Sequence, residues 1–222
     1  MGRRLYLFDI DGTLINSGGA GSRAMKRAFQ ALWRVEDGFT GIEFSGRTDR
    51  VILRDAWAAT ARSDNPFVHD LQRFKRAYFR RLGATLQECD GTLLPGVVEL
   101  LETLNADENA TIALGTGNFR TGAAMKLRHY GVWDYFCAGG FGDRAESRED
   151  MIGEALRACR PFGSHNTVFV IGDTVHDIAC AKAHGAVAVG VTTGPSDAAT
   201  LSAAGADIVL ETLHEAAKHI LR

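Results

Sequence analysis

Four short apolar runs that do not alternate with polar residues set the limits on what this chain can fold into. They span residues 5–8, 111–114, 168–171 and 187–191, each is bounded by Gly or Asp, and the last two are rich in β-branched side chains. A strand with one wet face alternates; a strand without alternation is covered on both faces, as in a parallel sheet flanked by helices. Weaker runs surround Phe136 and Ile208. Between the runs lie helical stripes: Val97, Leu100, Leu101 and Leu104; Ile152, Ala155, Leu156 and Cys159; Leu213, Ala216, Ala217 and Ile220. Gly185 and Gly205 stand where helix C-caps are expected. Strand and helix in alternation, joined by right-handed crossovers, predict an α/β fold built on a doubly wound, mainly parallel sheet.

One stretch breaks this rhythm. From Ser17 to Thr92 there is no buried-strand run, only three helical stripes: Met25/Ala28/Phe29/Leu32, Ile52/Leu53/Ala56/Trp57 and Phe67/Leu71/Phe74/Tyr78/Leu82. That is too long for a crossover loop, so residues 17–92 are expected to form an all-helical inserted domain on a core of residues 1–16 and 93–222. The Gly-rich segments 16–21 and 91–95 are the expected hinges.

A formal net charge of -2 argues against nucleic-acid or membrane-surface partners. The basic cluster Arg73, Lys75, Arg76, Arg80 and Arg81 is interleaved with Phe74, Tyr78 and Phe79 at helical spacing and reads as a solvated face. Cys89, Cys137, Cys159 and Cys180 are far apart, without metal spacing, and read as reduced thiols. The N-terminal apolar segment is too short for a leader, and no stretch is long enough to span a membrane. A cytoplasmic protein is expected.

The chemistry concentrates at the strand ends. The first strand runs into Asp9-Ile10-Asp11-Gly12-Thr13, and the fourth into Gly172-Asp173-Thr174-Val175-His176-Asp177. The carboxyl ends of strands border the crevice where open α/β sheets bind ligands. Four carboxylates converging there with no basic residue in either motif repel one another unless a hard cation is present, and Mg²⁺ is the expected one. The second strand ends in Gly115-Thr116-Gly117-Asn118, where a hydroxyl, an amide and free backbone N–H groups suit an anion.

Together these motifs resemble the haloacid dehalogenase superfamily, with its DxDGT, strand-terminal Thr or Ser, Lys or Arg, and GDxxxD. The resemblance covers the whole core, and the helical insertion resembles the C1 cap of phosphoglycolate-phosphatase-like members. It implies a nucleophile at Asp9, an acid/base at Asp11 and a phosphate-binding Thr116 with Gly117 and Asn118. It further implies Mg²⁺ held by Asp9, Asp173 and the Asp11 carbonyl, with Asp177 acting mainly through water. For the basic residue Arg148 is preferred, Arg144 is the runner-up and Lys126 is third. Gly46-Arg47-Thr48-Asp49 resembles the family's specificity loop, which makes Arg47 the candidate for an anionic substrate group; His176 reads as a helix-surface residue. The function implied is Mg²⁺-dependent hydrolysis of a small phosphoglycolate- or sugar-phosphate-like monoester through an aspartyl-phosphate. The alternatives are a phosphomutase of the same family and a non-catalytic phosphometabolite binder.

Overall fold

All five residues of β1 (Arg4–Phe8) are buried, as an unalternated run requires. Tyr6 and Phe8 enter one apolar core and Leu5 and Leu7 another, so this single strand feeds both faces of the sheet. The computed structural model describes residues 2–60 and 67–221, with residues 67–69 described by backbone alone. After β1 come β2 (Ile15–Asn16), three helices, α1 (Ala20–Trp33), α2 (Asp49–Ala58) and α3 (Phe67–Glu88), and then β3 (Thr92–Leu93). The chain continues through α4 (Val97–Asn105), β4 (Ala110–Thr116), α5 (Arg120–His129), β5 (Ala138–Phe141), α6 (Arg148–Cys159) and β6 (Thr167–Gly172). It ends with α7 (Val175–Ala183), β7 (Val187–Val191), α8 (Ala198–Ala203), β8 (Ile208–Leu210) and α9 (Ala216–Ile220).

Six strands form one sheet in the order β5-β4-β1-β6-β7-β8, with every pairing parallel. This is the doubly wound α/β sheet predicted from the apolar runs. Leu100 of α4, Leu127 of α5 and Ile220 of α9 cover the Tyr6/Phe8 face. Met151 and Ile152 of α6, Ile178 of α7 and Leu201 of α8 cover the other. Each such side chain withdrawn from water contributes about 1.5–3 kcal/mol, which is why the two-faced burial decides the topology. Two sequence details shift: β5 begins beyond Phe136, and Ala217 is exposed rather than part of the last stripe.

Register brings the functional motifs to one edge. Phe8 sits opposite Leu114 on one side and Ile171 on the other, so the chain leaves β1, β4 and β6 at nearly the same level. Because β1 lies between β4 and β6, that edge is the crevice where the winding reverses.

Helices α1–α3 close an apolar core of their own around Met25, Phe29, Trp57, Phe74 and Leu82. Trp33 stacks on Phe74 with ring centroids 5.8 Å apart. The side chain of Phe67, which opens the third stripe, lies outside the described residues. Asn16 pairs with Thr92 across β2 and β3, so this helical unit leaves and rejoins the sheet domain at one place. Phe119, preceding α5, is fully buried in the helical unit's core and ties the two parts together. Among the described residues no helix is long and apolar enough to cross a membrane.

Candidate active site

Asp9 follows β1 directly, and its N–H donates to the Ile171 carbonyl at 2.9 Å, fixing the side chain at the sheet edge. Gly12 has φ 85°, and a Cβ there would strike the Asp173 carboxylate, so the turn requires glycine twice over. The Thr13 hydroxyl donates to Asp173 at 3.1 Å. Asp177 lies in the first turn of α7 as part of a capping box: the Thr174 hydroxyl and N–H donate to it at 2.6 and 3.1 Å. One oxygen each from Asp9, Asp173 and Asp177, all buried, lie within 4.8 Å of one another. Burial, and then Asp177 and Asp9, raise the pKa of Asp173. Burial raises that of Asp9 as well, against the pull of Arg148.

Arg148 opens α6 just after Ser147, whose hydroxyl caps that helix by accepting from the Asp150 N–H at 3.0 Å. Its buried guanidinium pairs with Asp177 and stands 3.3 Å from Asp9. Burial works against that charge, but Asp177 and Asp9 outweigh it and keep the guanidinium firmly protonated. Three carboxylates against one guanidinium leave two formal negative charges on an all-oxygen donor set. That is the chemistry of a site for a hard divalent cation. Arg144 is exposed and makes no hydrogen bond or ion pair with this cluster among the described residues.

Asp11 belongs to a second cluster. Lys126 reaches up from α5 to within 2.8 and 2.6 Å of its two carboxylate oxygens and 2.7 Å of the Asn118 side-chain Oδ1. The Asn118 amide donates to Asp11 at 2.8 Å, and the Ser17 hydroxyl at 3.3 Å. Burial alone would raise the Asp11 pKa, yet Lys126 and these donors hold it below the usual carboxylate range. Lys126, third among the sequence candidates for a phosphate-binding base, is thus the partner of the expected acid/base. The signal was a helix beginning at Arg120, which puts Gly122 and Lys126 one turn apart on a face of small residues.

Asp9, Asp11, Asn118, Lys126, Arg148 and Asp173 all line one cavity of about 390 Å³. Gly117 joins them, whereas Thr116 and Asp177 stand behind the lining. The Thr116 hydroxyl, fully buried, accepts from the Asn118 backbone N–H at 3.3 Å and side-chain amide at 2.9 Å. The upper wall comes from the helical unit. Arg47 is on it, but its guanidinium pairs with Asp55 and donates to the Glu43 carbonyl at 3.4 Å. His176 is exposed, at the surface of α7. The two parts meet over the loop after β4. The Asp49 N–H donates to the Gly117 carbonyl at 2.8 Å, and the Phe119 N–H donates to the Asp49 carboxylate at 2.8 Å. Lys75 pairs with Asp143 and lies 4.4 Å over the Phe119 ring.

Fold and site define an α/β protein with carboxylates gathered at the carboxyl edge of a parallel sheet, roofed by inserted helices. The profile of the haloacid dehalogenase-like hydrolases matches residues 4–185, and the chain belongs to that family. It is 28% identical to the protein named "Probable phosphatase IndB" of Dickeya dadantii, over 95% of this chain and 90% of that one. It is 26% identical to the phosphoglycolate phosphatase of Vibrio parahaemolyticus, over 96% and 93%. Among solved structures, CbbY from Rhodobacter sphaeroides in complex with phosphate superposes with a TM-score of 0.68 at 20% identity, covering 97% of this chain and 96% of that one. A hydrolase from Pseudomonas syringae gives 0.65 at 23% identity over 98% of both chains. Both show the same fold.

Proposed function

We propose that this chain is a Mg²⁺-dependent phosphatase that hydrolyses a small phosphomonoester through a phosphorylated Asp9, in the cytoplasm as its sequence suggests. Residues 17–92 act as the cap and residues 1–16 and 93–222 as the hydrolase core. The observation that carries this reading is the pairing of Asp9 with Arg148 at the floor of a cavity whose wall holds a lysine-bound Asp11. Asp9 attacks phosphorus in line, making a new P–O bond as the ester P–O bond breaks. Lys126 keeps Asp11 ionised in the free site, so the proton that Asp11 gives to the departing alkoxide is one brought in by a singly protonated phosphoester; Asp11 then takes one from the water that cleaves the acyl-phosphate. Arg148 and the loop of Thr116, Gly117 and Asn118 bind the phosphoryl oxygens, for which the Thr116 hydroxyl and the Asn118 N–H give up the bond they make with each other in the free site; most catalysis of this transfer lies there. Asp9, Asp173 and the Asp11 carbonyl, with Asp177 behind, would hold Mg²⁺, which would supply charge neutralisation on the same oxygens. Lys126 and Asn118 hold Asp11 in position for both proton transfers.

The test is phosphate release from 4-nitrophenyl phosphate by purified protein with Mg²⁺, and its loss with EDTA. Asp9→Asn should abolish turnover while the fold persists, because an amide is a poor nucleophile. Turnover that survives EDTA, or survives Asp9→Asn, refutes the reading.

A further inference from the structure

The upper wall of the cavity carries a carboxylate with no ion-pair partner among the described residues. Asp49, the first residue of α2, is 9% exposed and lines the cavity. Its Oδ2 accepts from the Phe119 N–H at 2.8 Å; its other oxygen has no hydrogen-bond partner, and it has no ion pair, among the described residues. The cavity's cations are all engaged elsewhere. Lys126 is on Asp11, Arg148 bridges Asp9 and Asp177, and Arg47 is on Asp55. The helical unit also lines the cavity with Met25, Phe44 and Ile52, with Ser22 and Ser45, and with Tyr78, whose hydroxyl lacks a hydrogen-bond partner among the described residues.

A desolvated carboxylate with an open oxygen calls for a donor. In the free protein water can serve, but a substrate that displaces the water must replace its hydrogen bond or leave a buried acceptor unmet. A leaving group ending in a carboxylate would bring a like charge to this wall, where Lys126, whose charge reaches Asp49, is already paired with Asp11. A hydroxyl or an ammonium would supply the missing donor.

We infer that Asp49 reads the leaving group, and that the substrate is the phosphomonoester of an alcohol whose far end donates a hydrogen bond, as a hydroxyl or ammonium does, rather than ending in a carboxylate. The inference rests on the phosphatase reading above. It sets this chain's substrate apart from phosphoglycolate, after which several of its relatives are named.

Three esters of equal length isolate the far end: 2-hydroxyethyl phosphate, phosphoethanolamine and phosphoglycolate. With Mg²⁺, wild-type kcat/KM should favour the first two over phosphoglycolate by about tenfold or more. Asp49→Asn keeps an acceptor for the Phe119 N–H and turns an amide donor toward the cavity. The ratio of phosphoglycolate to phosphoethanolamine should therefore rise by about tenfold in the variant. Taking ratios within each protein cancels any general loss the substitution causes. Phosphoglycolate as the best of the three in wild type overturns the inference, and so does an unchanged ratio in Asp49→Asn. 4-Nitrophenyl phosphate, run alongside, separates the two levels: if wild type does not hydrolyse it, the phosphatase reading falls, whereas a wrong ranking with intact aryl turnover sinks only the role of Asp49.

Discussion

Replacing Lys126 by methionine keeps the length of the side chain and removes its charge. Three contacts go with it, at 2.8 and 2.6 Å to Asp11 and at 2.7 Å to Asn118. Breaking a fully buried ion pair from one side costs about 3–5 kcal/mol. Here the lysine side chain is 4% exposed but that of Asp11 is 40% exposed, so water takes over part of the carboxylate's solvation. The loss in folding stability should fall nearer about 1–2 kcal/mol, the worth of a charge-assisted hydrogen bond partly replaced by water. Turnover should suffer more, because Asp11 loses the contacts that aim it. A single charge-assisted bond of about 1.5–3 kcal/mol corresponds to roughly ten- to a hundredfold in rate. The assay is kcat for an alkyl phosphate, whose alkoxide needs a proton to leave, beside an aryl phosphate, whose phenolate does not. Lys126→Met should lower the alkyl rate by that factor and the aryl rate by clearly less, with the melting temperature recorded to separate loss of fold. If alkyl turnover stays within about a factor of two of wild type, Lys126 does not position Asp11. An equal fall on both esters would instead place the lysine at the phosphoryl group.

The acidic cluster makes a prediction readable without turnover. Folded Asp173 keeps its proton to higher pH than it would in the unfolded chain, so its contribution to stability is present in mild acid and lost as pH rises through the raised folded value. Mg²⁺ should therefore raise the melting temperature more at mildly alkaline than at mildly acid pH, and Asp173→Asn should remove most of that rise; a metal effect that is independent of pH contradicts the assignment. Arg148→Ala leaves Asp9 and Asp177 without their guanidinium and should lower kcat by about 10²-fold or more, whereas exposed Arg144→Ala stays near wild type; side-by-side kinetics check the order. Since Arg47 is held by Asp55, Arg47→Ala should change kcat/KM for phosphoglycolate and for an aryl phosphate by the same factor, within about fivefold. A selective loss on phosphoglycolate would show that Arg47 leaves Asp55 to bind substrate anions.

What the sequence made legible follows from how local the cause was. The buried strands announced themselves because both faces are apolar, and once β1 is flanked by β4 and β6 in register, the aspartates after β1 and β6 have to share an edge. β5 was nearly hidden, because its middle is Gly139-Gly140. A Cβ at Gly140 would strike the Met151 carbonyl, so α6 packs on the strand's backbone and the strand needs no apolar side chain there. α5 carries Gly122, Ala123 and Ala124 on its buried face, too small to form a stripe, and Lys126 accordingly read as a minor candidate. Nor does the local pattern around Arg47 tell that Asp55, two turns further along, takes its guanidinium. These are tertiary facts, set by which helix faces which.

The loop after β4 explains why the roof and the proton chemistry belong to one device. Asn118 donates to Asp11 and accepts from Lys126, so it belongs to the cluster around the proposed acid/base. The residues on either side of it, Gly117 and Phe119, carry the two hydrogen bonds to Asp49, at 2.8 Å each, and the Phe119 ring is buried in the core of the helical unit. Lifting α2 therefore breaks two backbone attachments flanking the residue that orients Asp11, and it draws an aromatic ring out of an apolar core. A lid hinged elsewhere could open without disturbing the chemistry; this one cannot. On the proposed mechanism, closure that excludes water and alignment of the proton donor would then be a single event, which matters because an acyl-phosphate that is exposed to bulk water before Asp11 is in place would be lost to unguided hydrolysis. The same coupling gives the far end of the leaving group a say in the chemistry: the carboxylate that meets it, Asp49, is also the residue that pins the loop.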